Sequence, residues 1–221
     1  MSVKIVAYTK LADENNAMNP SDFIAYVARV SNPSNQHNTE TSDRLLKYLV
    51  KHKHWSPFEM AHVTMEINTT RDIARQILRH RSFSFQEFSQ RYADPTNDLG
   101  FTVREARLQD TKNRQNSIEA KNDDLSFQWT GRQQYVIDAA NIAYKWAIDN
   151  GIAKEQARAV LPEGLTVSRL YMAGSVRSWI HYCQLRCANG TQKEHQLIAL
   201  ECWNELIKIY PSLDNLIDFN N

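Results

Sequence analysis

Hydrophobic and polar residues alternate along residues 3–9, with Val3, Ile5 and Ala7 on one side, and this period of two predicts a short first strand. The period lengthens over residues 20–31, where Phe23, Ile24, Val27 and Ala28 form a helical stripe behind Asn19 and Pro20. Residues 32–41 are polar, contain Pro33 and read as a loop; Leu45, Leu46, Leu49 and Val50 predict a second helix over 42–53. Pro57 breaks the chain. Residues 59–68 return to alternation, with Ala61, Val63, Met65 and Ile67 facing one way and Met60, His62, Thr64 and Glu66 the other. Thr69 and Asp72 have the Ser/Thr-x-x-acid spacing that starts helices, so a helix is expected to about His80.

Residues 82–108 mix phenylalanines with polar residues and read as strand and loop. Residues 109–124 hold almost no apolar anchor and read as a mobile connection. A long helix is expected over 125–150, with Phe127, Tyr135, Ile142 and Trp146 among its apolar positions and Gly151 as its stop. Residues 154–160, 167–188 and 191–210 are read as helical. The pattern predicts a helix-rich mixture of α and β without regular βαβ alternation, in a single domain over residues 1–221.

Charge narrows the function. Lys plus Arg number 26 and Asp plus Glu 25, so the formal net charge is +1, too balanced for a bulk nucleic-acid coat. Apolar residues at 42% argue against a disordered chain. No apolar run reaches the roughly 18 residues that cross a bilayer, and the first residues do not read as a secretory signal. The three cysteines, Cys183, Cys187 and Cys202, form no disulfide framework and fit a reducing, cytoplasmic setting. The six glycines are scattered, so neither a dinucleotide fingerprint nor a P-loop is present, and any phosphate must be held by side chains.

Residues 69–92 carry the chemistry. Arg71, Arg75 and Arg79 recur every four residues and form one guanidinium ridge. Arg79-His80-Arg81 then concentrates cations at a helix end, which favours a nearby anion. Ser82, Ser84, Gln86, Glu87, Ser89, Gln90 and Arg91 crowd hydrogen-bonding groups behind them, and the phase slip from Phe83 and Phe85 to Phe88 suggests a bulge or kink. Forked arginines with hydroxyls suit a phosphate; amides with a carboxylate suit a base or sugar edge. The segment reads as a nucleotide site.

Arg79-His80-Arg81, seven residues and then Ser89, resembles the signature of the flavin-dependent thymidylate synthases. Arg75-Gln76, Arg91-Tyr92, His54-Trp55-Ser56-Pro57-Phe58-Glu59, Ala157-Arg158-Ala159-Val160-Leu161-Pro162, Arg177-Ser178, Leu185-Arg186 and Gln192 with Glu194 extend the resemblance from about Ala28 to about Leu206. It implies an α+β fold with a central, mainly antiparallel sheet. It implies methylation of dUMP to dTMP, with methylenetetrahydrofolate as carbon donor, NADPH as reductant and FAD as cofactor, in a homotetramer with shared sites. No nucleic-acid polymer and no membrane are implied as partners. Arg186 corresponds to the arginine that stabilises the ionised pyrimidine. Arg79, His80 and Arg81 resemble the flavin-contacting trio, with Ser56, His54, Glu87, Arg177 and His181 as further flavin positions. Gln76, Arg79, Glu87, Ser89, Gln90, Arg91, Arg158 and Arg186 correspond to nucleotide positions. Met60, Gln86, Ser175, His181 and Gly190 depart from residues frequent in relatives.

Ser89 makes a poor nucleophile, because only Glu87 within the motif could serve it as a base. The cysteines lack the Pro-Cys-His context of the non-flavin thymidylate synthases. A metal site at His52, His54 and His62 is a weak rival, since two positions apart on a helix diverge and no carboxylate-rich motif accompanies them. An RNA module stacking bases on Phe83, Phe85, Phe88 and Tyr92 is opposed by the near-zero net charge and by Glu87.

Overall fold

A computed structural model describes residues 1–12 and 18–214. In chain order its elements are β1 (Ser2–Tyr8), α1 (Pro20–Ala28), α2 (Ser42–Lys51), β2 (His62–Thr70), α3 (Arg71–Ile77), β3 (Ser84–Glu87) and α4 (Pro95–Asp98). They continue with β4 (Arg107–Gln109), β5 (Ser117–Glu119), α5 (Asp123–Asp149), α6 (Lys154–Ala157), β6 (Val167–Ser175), α7 (Val176–Arg186) and α8 (Lys193–Ile209).

Four strands form one antiparallel sheet in the order β1-β2-β6-β3. Alternation decides what each face carries. Val3, Ile5, Met65, Ile67, Leu170, Met172 and Phe85 meet as cross-strand pairs on one face, and α1, α3, α7 and α8 cover it with Ile24, Ile73, Ile77, Trp179, Ile198 and Leu206. Trp179 donates its indole N–H to the Val63 carbonyl at 3.0 Å, which satisfies that group inside the core. The opposite face carries Lys4, Thr64, Glu66, Arg169, Tyr171, Ser84 and Gln86. Glu66 is buried there by Tyr171, whose hydroxyl donates to it at 2.9 Å, and by Lys4 at 3.2 Å.

Several sequence expectations change. Residues 167–188 are not one helix. Residues 167–175 form the central strand β6, because Ser168, Leu170 and Met172 are buried in alternation and pair with β2 along nine residues. Ser175 then accepts from the Ser178 N–H and starts α7. The strand expected from residue 59 begins at His62, since Ser56–Glu59 form a 3-10 turn led by Pro57. Thr69 does not cap α3. It is a buried strand residue, and the first helical N–H groups of Arg71 and Asp72 go to the Thr166 and Glu163 carbonyls. Residues 84–87 pair with β6 in regular register, so the phenylalanine phase slip marks a strand end rather than a bulge. Residues 109–124 include part of the small β4–β5 hairpin.

Helix α5 is capped by the Asn122 side chain at the Leu125 N–H. Its buried face is Gln133, Ile137, Ala140, Tyr144 and Ala147. Phe127, Tyr135, Ile142 and Trp146 lie on the opposite side and are exposed. The cysteines are buried and free, and burial pushes the Cys183 and Cys202 thiols well up, away from nucleophilic use.

Candidate active site

The basic turn is held by one ring. After α3 ends, His80 N–H bonds back to the Ile77 carbonyl and Phe83 N–H to the His80 carbonyl. Phe83 inserts under β6, edge-on to Trp179 with centroids 4.9 Å apart, where Gly174 leaves no room for a side chain. That plug leaves Arg79, Arg81 and Ser82 exposed.

His80 turns inward. Its ring lies edge-on to Tyr182 at 4.9 Å, and Arg186 Nε donates to His80 Nε2 at 2.9 Å. Burial, then the charges of Arg186 and Arg79, push the His80 pKa down to about 4. The ring is therefore neutral near pH 7 with its proton on Nδ1. Arg186 is held by an imidazole, and no carboxylate among the described residues pairs with it to cancel its charge at the end of α7. Gln76, on α3, joins this group through Gln192 at 2.7 Å and His195 at 3.2 Å.

A second group surrounds a cavity of about 450 Å³ lined by Glu59, His62, Ser82, Ser84, Gly174, Arg177 and His181 among others. Arg177 pairs with Glu59, which also accepts from Ser175 Oγ at 2.8 Å. The Arg177 hydrogen bond and then that of Ser175 hold the Glu59 carboxyl below the ordinary range. Arg177 Nε is buried without a hydrogen-bond partner among the described residues. His181 stands edge-on to Trp55 at 4.7 Å, and burial followed by Arg177 lowers its pKa. Ser56 and His54 are exposed on the preceding turn, with His54 6.1 Å from Tyr48 and 6.2 Å from His52 by ring centroids.

A third group surrounds a cavity of about 350 Å³ lined by Arg71, Gln90, Glu155, Arg158, Leu161 and Glu163 among others. Gln90 is buried and its Nε2 has no hydrogen-bond partner among the described residues. Arg91 reaches Glu155 at 3.4 Å, and Ser89 closes the adjoining turn through its carbonyl, which accepts from the Tyr92 and Ala93 N–H groups. Glu87 sits on the helix-covered face of the sheet, where it meets Arg75 at 2.9 Å, Arg71 at 3.5 Å and Ser168 Oγ at 2.8 Å. Two members of the guanidinium ridge, Arg71 and Arg75, are thus paired with Glu87, and Arg79 has no ion pair among the described residues.

Within one chain, then, Gln76, His80 and Arg186 come together; so do Ser82, Arg177 and His181; so do Gln90 and Arg158. These two cavities share no lining residue. Sequence reasoning missed Glu59 as the ion-pair partner of Arg177 and Ser175 as a hydrogen-bond donor to Glu59, and Tyr182 and His195 entirely. The one available signal for His195 was its place beside Gln192 and Glu194.

Fold and cavities describe an α+β scaffold with arginine-lined recesses suited to phosphorylated ligands. The sequence model of the family described as "Thymidylate synthase complementing protein" matches residues 10–212. The "Probable flavin-dependent thymidylate synthase" of Paramecium bursaria Chlorella virus 1 is 46% identical over 99% of this chain and 100% of its own length. The "Flavin-dependent thymidylate synthase" of a Synechocystis species is 46% identical over 96% of this chain and 97% of its own. The crystal structure of a UMP/dUMP methylase PolB from Streptomyces cacaoi, bound with 5-Br dUMP, superposes with a TM-score of 0.78 at 24% identity, covering 96% of this chain and 93% of that one, and shows the same fold. The chain belongs to the flavin-dependent thymidylate synthase family.

Proposed function

We propose that this protein converts dUMP to dTMP, taking a methylene carbon from methylenetetrahydrofolate and reducing equivalents from NADPH through bound FAD. The observation that carries the reading is the pairing of a neutral His80 with an uncancelled Arg186 beside the exposed Arg79–Ser82 turn. Uracil C5 is a weak nucleophile, and a guanidinium held in a partly buried site stabilises the negative charge that activates it.

The flavin fits the residues present. The recess at Arg177 and His181 offers an unpartnered buried guanidine N–H and hydroxyls of Ser82 and Ser84, donors suited to a pyrophosphate or adenine edge. Arg79, His80, Arg81, Ser56, His54, Arg177 and His181 would hold FAD, which supplies hydride transfer when bound. For dUMP, the orphaned Gln90 amide with Arg158 and Arg91 would take the phosphate, and Ser89 a hydroxyl contact. Glu87 acts by holding Arg71 and Arg75. The buried cysteines and Ser89 leave no activated nucleophile, so the nucleotide is not held covalently.

The Gln90 and Arg158 cavity and the Arg177 and His181 cavity share no lining residue within one chain, in keeping with sites completed between copies in a homotetramer. The exposed stripe of Phe127, Tyr135, Ile142 and Trp146 on α5 supplies an apolar face for that association. Residues 1–221 are read as one catalytic domain. No helix among the described residues is long and apolar enough to cross a membrane, and the reading places the enzyme in the cytoplasm.

The test is spectroscopic and then catalytic. Purified protein should show a flavin absorption spectrum, be bleached by NADPH without oxygen, and form dTMP when dUMP and methylenetetrahydrofolate are added. A folded, colourless protein that neither takes up FAD nor makes dTMP would refute the assignment.

A further inference from the structure

Behind Gln76 lies a chain of hydrogen bonds whose direction can be worked out from one end. Arg107, on β4, is ion-paired with Glu194 in the first turn of α8. A carboxylate only accepts, so Gln192, whose Nε2 lies 2.9 Å from Glu194 Oε2, must present its N–H there and turn its carbonyl oxygen away. That oxygen lies 2.7 Å from Gln76 Nε2, so Gln76 must donate. The Gln76 carbonyl oxygen is then left facing His195 Nδ1 at 3.2 Å, so His195 must carry its proton on Nδ1. His195 Nε2 is left as an acceptor, and the Tyr182 hydroxyl, 3.1 Å away, donates to it. Every donor in the series points toward Glu194. The core that holds it is closed: His195 and Tyr182 are buried, at 0% and 2% exposure. Burial and then the charges of Arg186 and His80 press the His195 pKa down to about 3, in keeping with a neutral ring.

We infer that His195 and Gln192 are positioning residues that lock the Gln76 amide with its second N–H facing the nucleotide, making Gln76 an obligatory donor to an acceptor atom of dUMP. This deepens the reading of the site given above and rests on it. An unrestrained glutamine can present either edge; both Gln76 amide atoms are engaged from behind, which leaves one N–H and one lone pair, each in a fixed place. Gln76 is half-buried, so that N–H is within reach of a ligand.

The test measures dUMP binding to the flavin-loaded protein by calorimetry. His195→Leu and Gln192→Leu should each weaken dUMP binding roughly three- to tenfold, the worth of one neutral hydrogen bond left to chance. His195→Asn, whose side-chain amide stands near the lost Nδ1–H, should recover most of that loss. In a Gln76→Ala background, His195→Leu should cost nothing further, because its effect travels through Gln76. An unchanged affinity in His195→Leu, or an equal loss with Gln76 already removed, would overturn the inference. Nitrogen NMR of the His195 ring tests the direction of the chain without any ligand: the neutral Nδ1–H form is expected, and the Nε2–H form would overturn it. A parent protein that shows the Nδ1–H ring but does not bind dUMP would instead count against the function.

Discussion

Replacing Gly174 with alanine tests whether the basic turn is held by Phe83. A Cβ built on Gly174 would lie 2.5 Å from Phe83 Cδ1 and 2.7 Å from Cε1, so the ring must retreat by about an ångström to reach ordinary contact. It has nowhere to go, since Trp179 stands at 4.9 Å and Tyr182 at 6.0 Å by ring centroids. Overpacking of this kind costs about 1–3 kcal/mol. For a chain of this size each kcal/mol lowers the melting temperature by roughly 2–4 °C. Gly174→Ala should therefore melt about 2–12 °C lower, and it should release FAD more readily, because Ser82 and Ser84 flank the displaced ring. Calorimetry and flavin fluorescence read the two effects. Phe83→Leu opens space at the same spot, so adding it to Gly174→Ala should recover part of the loss, whereas the two costs would simply add if the contact did not matter. A Gly174→Ala protein with the parent's melting temperature and flavin retention would refute the argument.

Other outcomes follow from the same structure. Arg186→Ala should fold and keep FAD while losing turnover, and dTMP formation at the parent rate would remove Arg186 from the chemistry. His195 and His80 are neutral when folded, with pKa values pushed down to about 3 and about 4, but they titrate near 6.5 when unfolded. The unfolded chain then binds more protons below pH 6.5, so their contribution is complete above that pH and is lost as pH falls toward 4 and 3. Each contributes a slope of up to about 1.4 kcal/mol per pH unit, less for half-buried His80. His195→Leu should flatten the fall in stability between pH 6.5 and 4 in denaturant titrations; an unchanged slope would show that the ring is protonated in the folded state. Ile142→Glu with Trp146→Glu should lower the mass seen by light scattering, and an intact assembly would place the subunit contact elsewhere.

The order of residues was enough to reveal the strands β1 and β2, the helices α1, α2, α5 and α8, and the arginine-rich turn, because local periodicity and capping residues act over a few positions. It was also enough to bring Arg79, His80, Arg81, Gln76 and Arg186 under suspicion. It misread residues 167–175, although Ser168, Leu170 and Met172 stand two apart as on a strand, because the partners that bury them come from distant parts of the chain; pairing with β2 settled the matter. Tertiary structure alone showed that Glu87 is paired with both Arg71 and Arg75, that Arg186 rests on a neutral imidazole, and that His195 stands behind Gln76. Those facts depend on side chains separated by up to 119 residues meeting across a sheet and two helices. Burial then sets protonation and hydrogen-bond direction, which no local pattern encodes.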